Sequence, residues 1–157
     1  SKTQMYWHDE LGFNYRMTNV CAAIGTAQLE NVEPIIRLKH DIFAEYHRLL
    51  SGEELLSFPK YADSVLPANW LVSIKLGDPK LRQKLFIALG GNGIETRPTF
   101  PLACSMPMYR ERNYKELYPN AYHLSESGFN LPSYPKLKKD DIGFICEVIR
   151  SYLKGAV

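Results

Sequence analysis

An amide and a guanidinium stand two residues apart near the start of this 157-residue chain, at Asn14 and Arg16. In an extended segment alternate side chains lie on one face, so these two would point the same way. Both groups donate hydrogen bonds and the arginine is charged, which suits a phosphate or a carboxylate. The alternative is a loop in which the asparagine supplies turn geometry and the arginine is solvated.

A third group of this kind, Arg97, lies in a segment over residues 94–101 that we predict to be a strand broken by proline. Its planar guanidinium can bind a phosphate or carboxylate in a bidentate manner. The alternative is a surface ion pair with Glu95. The chemistry of the residues leaves both roles open.

Metal and nucleophile chemistry have little support in this sequence. Cys21, Cys104 and Cys146 lie far apart without metal-like spacing, and His40 and His47 have no third ligand nearby. The scattered, odd number of cysteines predicts reduced, mostly buried thiols in a cytoplasmic protein. We assign no catalytic residue and no metal ligand within the chain.

Length and charge narrow the class of protein. A chain of this size that is 45% hydrophobic can bury one sizeable core, so we expect a single domain. A net charge of +2 gives no sign of a nucleic-acid or membrane surface, and no apolar run approaches the ~20 residues that span a bilayer. Residues 1–5 do not resemble a signal peptide, and we expect the chain to begin inside a longer protein.

The elements that must position these groups follow from apolar periodicity. Helices are predicted to start at Thr18 or Asn19, at 33–34, after Asp78 and at 140–141, with a clear strand over 69–76. In that strand Trp70, Val72, Ile74 and Leu76 are predicted to line one face, with Asn69, Ser73 and Lys75 on the other. Residues 131–135 are predicted to be irregular. The pattern indicates an α+β fold, a small sheet covered by helices.

The helix over residues 20–29 consists mostly of small side chains, which allow another backbone to approach closely. We predict that it is buried or forms a subunit interface. The alternative is an ordinary alanine-rich core helix.

Several runs resemble the DegT/StrS-type sugar aminotransferases, pyridoxal-phosphate enzymes that aminate keto sugars attached to nucleotides. The resemblance rests on Tyr6-Trp7-His8, on residues 12–19, and on the Ala-Ala-Ile-Gly-x-Ala-Gln-Leu helix that follows. It covers the C-terminal portion of such an enzyme. It implies a junction and dimer-interface segment over 1–33 and the small C-terminal domain over 34–157, with the N-terminal helices coming from the domain junction.

The resemblance also implies roles for individual residues. Asn14 would bind the cofactor phosphate in the partner subunit's site, and Arg16 would support that phosphate or the sugar phosphate. Substrate contacts would come from His8, Tyr15 and Arg97. The family usually has a histidine where this chain has Ala103, which removes one substrate contact.

The lysine that holds pyridoxal phosphate lies upstream in the resembling enzymes, in a large domain, and no lysine here lies in a similar segment. We therefore expect a fragment of a sugar aminotransferase that is inactive alone and binds no cofactor alone. The runs 96–100 and 128–135 favour perosamine-synthase-like members acting on a nucleotide-linked keto-deoxy sugar, with the amino group from glutamate. The alternatives are a non-catalytic binding module and a subunit that completes a separate large domain. Self-association or a homodimer is expected.

Overall fold

The computed structural model describes residues 4–109 and 111–155, and it has the predicted α+β architecture. Its sheet has four strands in the order β1-β2-β4-β3, and every neighbouring pair is antiparallel. The strands are β1 Leu56–Ser57, β2 Val72–Leu76, β3 Arg97–Pro98 and β4 Gly128–Leu131. The helices are α1 Asn19–Leu29, α2 Val32–Leu50, α3 Pro79–Gly91, α4 Tyr114–Leu117, α5 Pro119–Ser127 and α6 Lys139–Lys154.

One face of the sheet carries the core. Val72 pairs with Leu131 and Ile74 with Phe129, and all four side chains are buried. They pack with the apolar stripes of α2, α3 and α6, as the periodicity predicted. The helical members of this core include Ile42, Tyr46, Leu50, Leu85, Leu89, Ile142, Ile145 and Ile149.

The opposite face, which we call the outer face, is polar at its centre. Because side chains alternate along a strand, Ser73, Asn130 and Arg97, which pair across three strands, share this face. The Ser73 hydroxyl donates to Asn130 Oδ1 over 2.6 Å, and Asn130 Nδ2 donates to the Pro98 carbonyl over 3.2 Å. These bonds satisfy a buried amide and hold the strands in register.

The predicted strand over 69–76 begins too early, and Trp70 does not share the buried face of Val72. Strand β2 begins at Val72, and the preceding Asn69 has φ 47°, a left-handed conformation that asparagine tolerates. The chain turns there, which leaves Trp70 68% exposed. Strand β4 occupies 128–131, so the prediction that 131–135 is irregular is wrong at Leu131.

The small-residue helix α1 is capped as predicted, with Thr18 Oγ1 accepting from the Cys21 amide over 3.3 Å. It contains no buried residue, so the predictions of burial and of a core helix are wrong for this chain, and an interface remains the open expectation. Cys21 is exposed, Cys104 half-buried and Cys146 buried, so only one thiol is fully buried. Among the described residues no helix is long and apolar enough to cross a membrane.

Candidate functional site

Four of the five predicted site residues lie on one exposed segment, residues 4–18, which we call the arm. It precedes α1 and contains neither helix nor strand. His8, Asn14, Tyr15 and Arg16 are all exposed, Tyr15 to 85%. Within the described part of the chain, none of the four has a hydrogen bond, ion pair or ring contact. Their polar groups are therefore available to a ligand or a second molecule.

The fifth residue, Arg97, lies on the edge strand β3. Its Nη2 is 3.3 Å from Glu95 Oε1, so the ion pair offered by the sequence is formed. Hydrogen bonds with Tyr6 and then with Glu95 raise the pKa of the Arg97 guanidinium. The contact with Tyr6 connects Arg97 to the root of the arm. A bound phosphate or carboxylate would compete with Glu95 for this guanidinium.

Three aromatic rings, those of Tyr6, Phe100 and Trp70, which we call the aromatic row, connect the start of the arm to the segments that flank β3 and β2. The Tyr6 and Phe100 centroids are 4.8 Å apart, and the Phe100 and Trp70 centroids are 6.4 Å apart with planes inclined by 15°. Such spacings are typical of favourable aromatic pairs. Sequence reasoning missed Tyr6 and Phe100 as positioning residues, since 94 positions separate them.

Lys39 fixes the backbone at one end of this row. Its ammonium donates to the Trp70 carbonyl over 2.6 Å, to the Ser133 carbonyl, and to Ser133 Oγ over 3.2 Å. Partial burial lowers the pKa of Lys39. With three acceptors around three N–H groups, Lys39 connects α2 to the turn before β2 and to the segment after β4.

The outer face carries a cavity of about 940 Å³, which we call the outer-face cavity. Ser73, Lys75 and Asn130 contribute to its polar floor, and Lys75 is the sole charged residue among the described residues lining it. Its walls are largely apolar and aromatic, with Phe58, Trp70, Leu71, Phe100, Leu102, Ala103, Tyr118 and Leu124 among them. Apolar walls with a few polar groups are typical of small-molecule sites.

Comparison with known proteins identifies the family. The model of the DegT/DnrJ/EryC1/StrS aminotransferase family matches residues 1–150. The chain belongs to this family. It is 40% identical to the GDP-perosamine synthase of Escherichia coli O157:H7 over 149 residues, and 42% identical to that of Vibrio cholerae over 150 residues. These alignments cover 95% and 94% of this chain but 40% of each relative, so the chain spans two fifths of their length.

Solved structures show the fold of the family. The chain superimposes on S. venezuelae DesV with a TM-score of 0.78 and 22% identity, covering 97% of this chain and 41% of that one. For the putative sugar aminotransferase Spr1654 of Streptococcus pneumoniae the TM-score is 0.79 at 19% identity, covering 90% and 36%. The matched region is the C-terminal portion of such enzymes, as the resemblance implied.

The family depends on pyridoxal phosphate, and the described residues do not form a complete site for it. The cofactor needs a lysine free to form an imine and a carboxylate facing its ring nitrogen. The Lys39 ammonium is bound by three oxygens, and Lys75 lines a cavity whose described residues include no carboxylate. Asn14 and Arg16 offer donors suited to the phosphate alone. We assign no step through the cofactor to this chain.

Proposed function

We propose that this chain is the C-terminal part of a sugar aminotransferase and supplies part of the binding machinery for amino transfer from glutamate to a nucleotide-linked keto-deoxy sugar. Alone it is inactive. The observation that carries the proposal is the exposed arm, which carries the donors Asn14 and Arg16 and whose first residues are anchored by the contacts of Tyr6 with Phe100 and Arg97. The identity of 40–42% to two GDP-perosamine synthases supports a GDP-linked 4-keto-6-deoxy sugar as the substrate.

Each site residue has a chemical role in this proposal. Asn14 donates a hydrogen bond to the cofactor phosphate in a neighbouring subunit, and Arg16 adds a charge-assisted bond to that phosphate or to the sugar phosphate. Arg97 exchanges its Glu95 contact for a substrate anion, while His8 and Tyr15 contact the substrate. With three free thiols, the proposed compartment is the cytoplasm.

In this proposal the neighbouring subunit that Asn14 contacts is a second copy of the chain. The arm alternates exposed apolar and polar residues, with Phe13 72% exposed, and α1 continues the exposed apolar surface. Several large apolar side chains exposed in one short stretch of the chain favour association. We expect light scattering to show self-association that Phe13→Ser weakens. Ile87→Ser, which changes an exposed apolar residue on α3, is the matched control and should leave the association unchanged.

A chimera tests the catalytic part of the proposal. The C-terminal two fifths of the Vibrio cholerae GDP-perosamine synthase is replaced by this chain, and amino transfer from glutamate to the GDP-linked keto sugar is measured. We expect activity, and we expect Asn14→Ala or Arg16→Ala to lower it by roughly tenfold or more. Asn120→Ala and Arg37→Ala, which change the same residue types at exposed positions on α5 and α2, should have little effect.

The alternative is a non-catalytic binding module derived from the family. The core formed by α2, α3, α6 and the sheet favours this alternative, because that core is buried without a further domain. A folded chimera without amino transfer would support this alternative and count against the enzymatic proposal. A mixture of this chain with a separately expressed large domain tests the two-chain arrangement, and activity no higher than that of either part would exclude it.

A further inference from the structure

The end of α3 carries an asparagine directly before a glycine, at Asn92 and Gly93, and this is the sole such pair in the chain. Both residues are exposed. The glycine nitrogen of such a pair can attack the asparagine side chain, because no Cβ on the glycine obstructs the approach. We propose that Asn92 is a site of spontaneous deamidation and that the turn at the end of α3 controls the rate. This proposal does not rest on the enzymatic function proposed above.

The reaction uses two residues of the chain and one water molecule. The Gly93 nitrogen forms a bond to Asn92 Cγ and loses its proton, the bond from Cγ to Nδ2 breaks, and Nδ2 leaves with that proton as ammonia. Water then opens the resulting five-membered ring at one of its two carbonyl carbons. Breaking the bond from the nitrogen to Cγ gives aspartate. Breaking the bond to the original main-chain carbon gives isoaspartate, in which the main chain runs through Cβ and Cγ.

In the folded chain the reacting atoms are held apart. Asn92 has ψ 13°, which places the Gly93 nitrogen on the side of the Asn92 main-chain nitrogen, whereas ring closure requires it on the side of Cβ. Asn92 Nδ2 donates to the Ala88 carbonyl over 2.8 Å. The Gly93 amide donates to the Gly90 carbonyl over 3.0 Å. The attacking nitrogen and the leaving group are therefore both hydrogen-bonded in a geometry that does not react.

The turn that imposes this geometry, which we call the α3 turn, comprises residues 89–94. Gly93 has φ 73°, a left-handed value that glycine adopts without a steric penalty, and the Ile94 amide donates to the Leu89 carbonyl over 3.0 Å. Both Ile94 and Leu89 belong to the core. Residues 90–93, by contrast, are all exposed, and three of them are glycines. The α3 turn should therefore open more often than the rest of the helix.

Deamidation would remove contacts that close the α3 turn. An aspartate at position 92 has no donor for the Ala88 carbonyl, and its negative charge lies at the negative end of the helix dipole. In isoaspartate the main chain is one carbon longer, which moves the Gly93 and Ile94 amides away from their acceptors. The turn then stays open and holds Ile94 less firmly in the core. Because residues 95–96 lead directly into β3, the change extends toward the strand that carries Arg97.

Mass spectrometry of digested protein measures the reaction, because replacement of the amide NH₂ by OH raises the mass of the peptide, and an isoaspartate methyltransferase identifies the second product. The folded chain is compared with a synthetic peptide of residues 86–98 at the same mildly alkaline pH. We expect modification of Asn92 in both, roughly tenfold slower in the folded chain. Asn120, which is exposed and followed by alanine, is the internal control and should remain unmodified.

Two core substitutions distinguish opening of the α3 turn from unfolding of the whole chain. Ile94→Ala removes an apolar side chain of the turn, whereas Leu85→Ala removes a buried side chain of the same helix outside the turn. We expect Ile94→Ala to accelerate the modification several-fold more than Leu85→Ala does. Ile94→Val is the milder variant if Ile94→Ala does not fold, and circular dichroism shows which variants are folded.

The effect on the fold is measured with a variant that copies one product. Asn92→Asp should lower the urea midpoint, whereas Asn120→Asp, the same change at an exposed position in the first turn of α5, should not. Equal midpoints for these two variants would refute the loss of the α3 turn on deamidation.

Equal rates in the folded chain and the peptide would overturn control by the α3 turn, and so would equal acceleration by Ile94→Ala and Leu85→Ala. A folded chain that remains unmodified, together with an equally unreactive Ile94→Ala variant, would exclude Asn92 as a modification site. None of these outcomes depends on the activity of the chimera.

Discussion

Gly128 is the position at which this fold should be most sensitive to a single added methyl group. It begins β4 directly after α5, and an added Cβ would lie 2.6 Å from Thr99 Cγ2 and 2.7 Å from the Leu124 carbonyl oxygen. The Leu124 oxygen already accepts from the Gly128 amide and from Thr99 Oγ1 over 2.9 Å. Gly128→Ala therefore inserts a carbon where three groups already meet.

The size of the effect follows from what can move. Thr99 cannot turn away without losing its hydrogen bonds to the Leu124 and Gly128 carbonyls, and the Leu124 oxygen belongs to a helix backbone. Overpacking of this kind costs about 1–3 kcal/mol. The dihedral angles of Gly128, φ −88° and ψ 152°, suit alanine. Because alanine makes the unfolded chain less flexible, the substitution also stabilises the folded state by about 0.4–1 kcal/mol. We expect a net loss of about 1–2 kcal/mol.

Urea unfolding followed by circular dichroism measures this loss. Gly143→Ala is the matched control, because an added Cβ there meets nothing within 4 Å and the residue lies inside α6. It should increase the free energy of unfolding by up to about 1 kcal/mol. If Gly128→Ala is as stable as the parent while Gly143→Ala behaves as expected, the close packing of Gly128 against Thr99 and Leu124 is refuted.

Three further predictions concern the core and its thiols. Burial raises the pKa of Cys146 to about 12, so the native thiol stays protonated where the unfolded one ionises. The stability from this difference is present below about pH 9 and is lost as the pH rises toward 12. Urea unfolding at a series of pH values should show this decline in the free energy of unfolding. In Cys146→Ala the decline that begins near pH 9 should be smaller. Exposed Cys21 should react with a thiol reagent in the native protein and Cys146 only after unfolding, and equal rates would contradict this burial. Arg150 lies 3.2 Å from Glu53 and also donates to the Leu49 carbonyl. Arg150→Met, which loses both contacts, should lower the free energy of unfolding by roughly 1 kcal/mol, and Glu53→Gln should lower it less. Equal losses in thermal melts would contradict a role for the carbonyl contact.

The helices of the core could be predicted from the sequence because each has a long amphipathic stripe. Ile42 and Tyr46 on α2, and Ile145 and Ile149 on α6, occupy the buried positions that the period of 3.6 residues indicates. Strand β4 could not be predicted in this way. It has four residues, and it pairs with β2 and β3, which are distant in the sequence. The local pattern of apolar residues does not indicate such long-range pairing.

Trp70 shows a related limit. Alternation placed it with Val72, but the left-handed conformation of Asn69 and the hydrogen bond from Lys39 set its direction, and both depend on tertiary structure. At the candidate site, the sequence offered the ion pair of Arg97 with Glu95 as the alternative to a substrate contact, and that ion pair is formed. The link of Arg97 to Tyr6 appears only when distant segments are folded together. The roles of Asn14 and Arg16 remain predictions from the family resemblance.

The aromatic row anchors the arm at Tyr6, so the remaining residues of the arm can reach only a limited distance from that point. Asn14 is eight residues beyond Tyr6, so its Cα lies at most roughly 29 Å from that anchor, however the arm is oriented. In the proposed pair of copies, Asn14 would meet a phosphate on the other chain only if that phosphate lies within this distance of the anchor, extended by the length of the asparagine side chain. Within such a pair the contact becomes intramolecular, with an effective concentration set by the anchored arm rather than by the amount of protein. Loss of the Phe100 ring would leave Asn14 and Arg16 unchanged and would still weaken their contact with the second copy. Without its anchor the arm would sample more positions, which lowers the effective concentration of these donors.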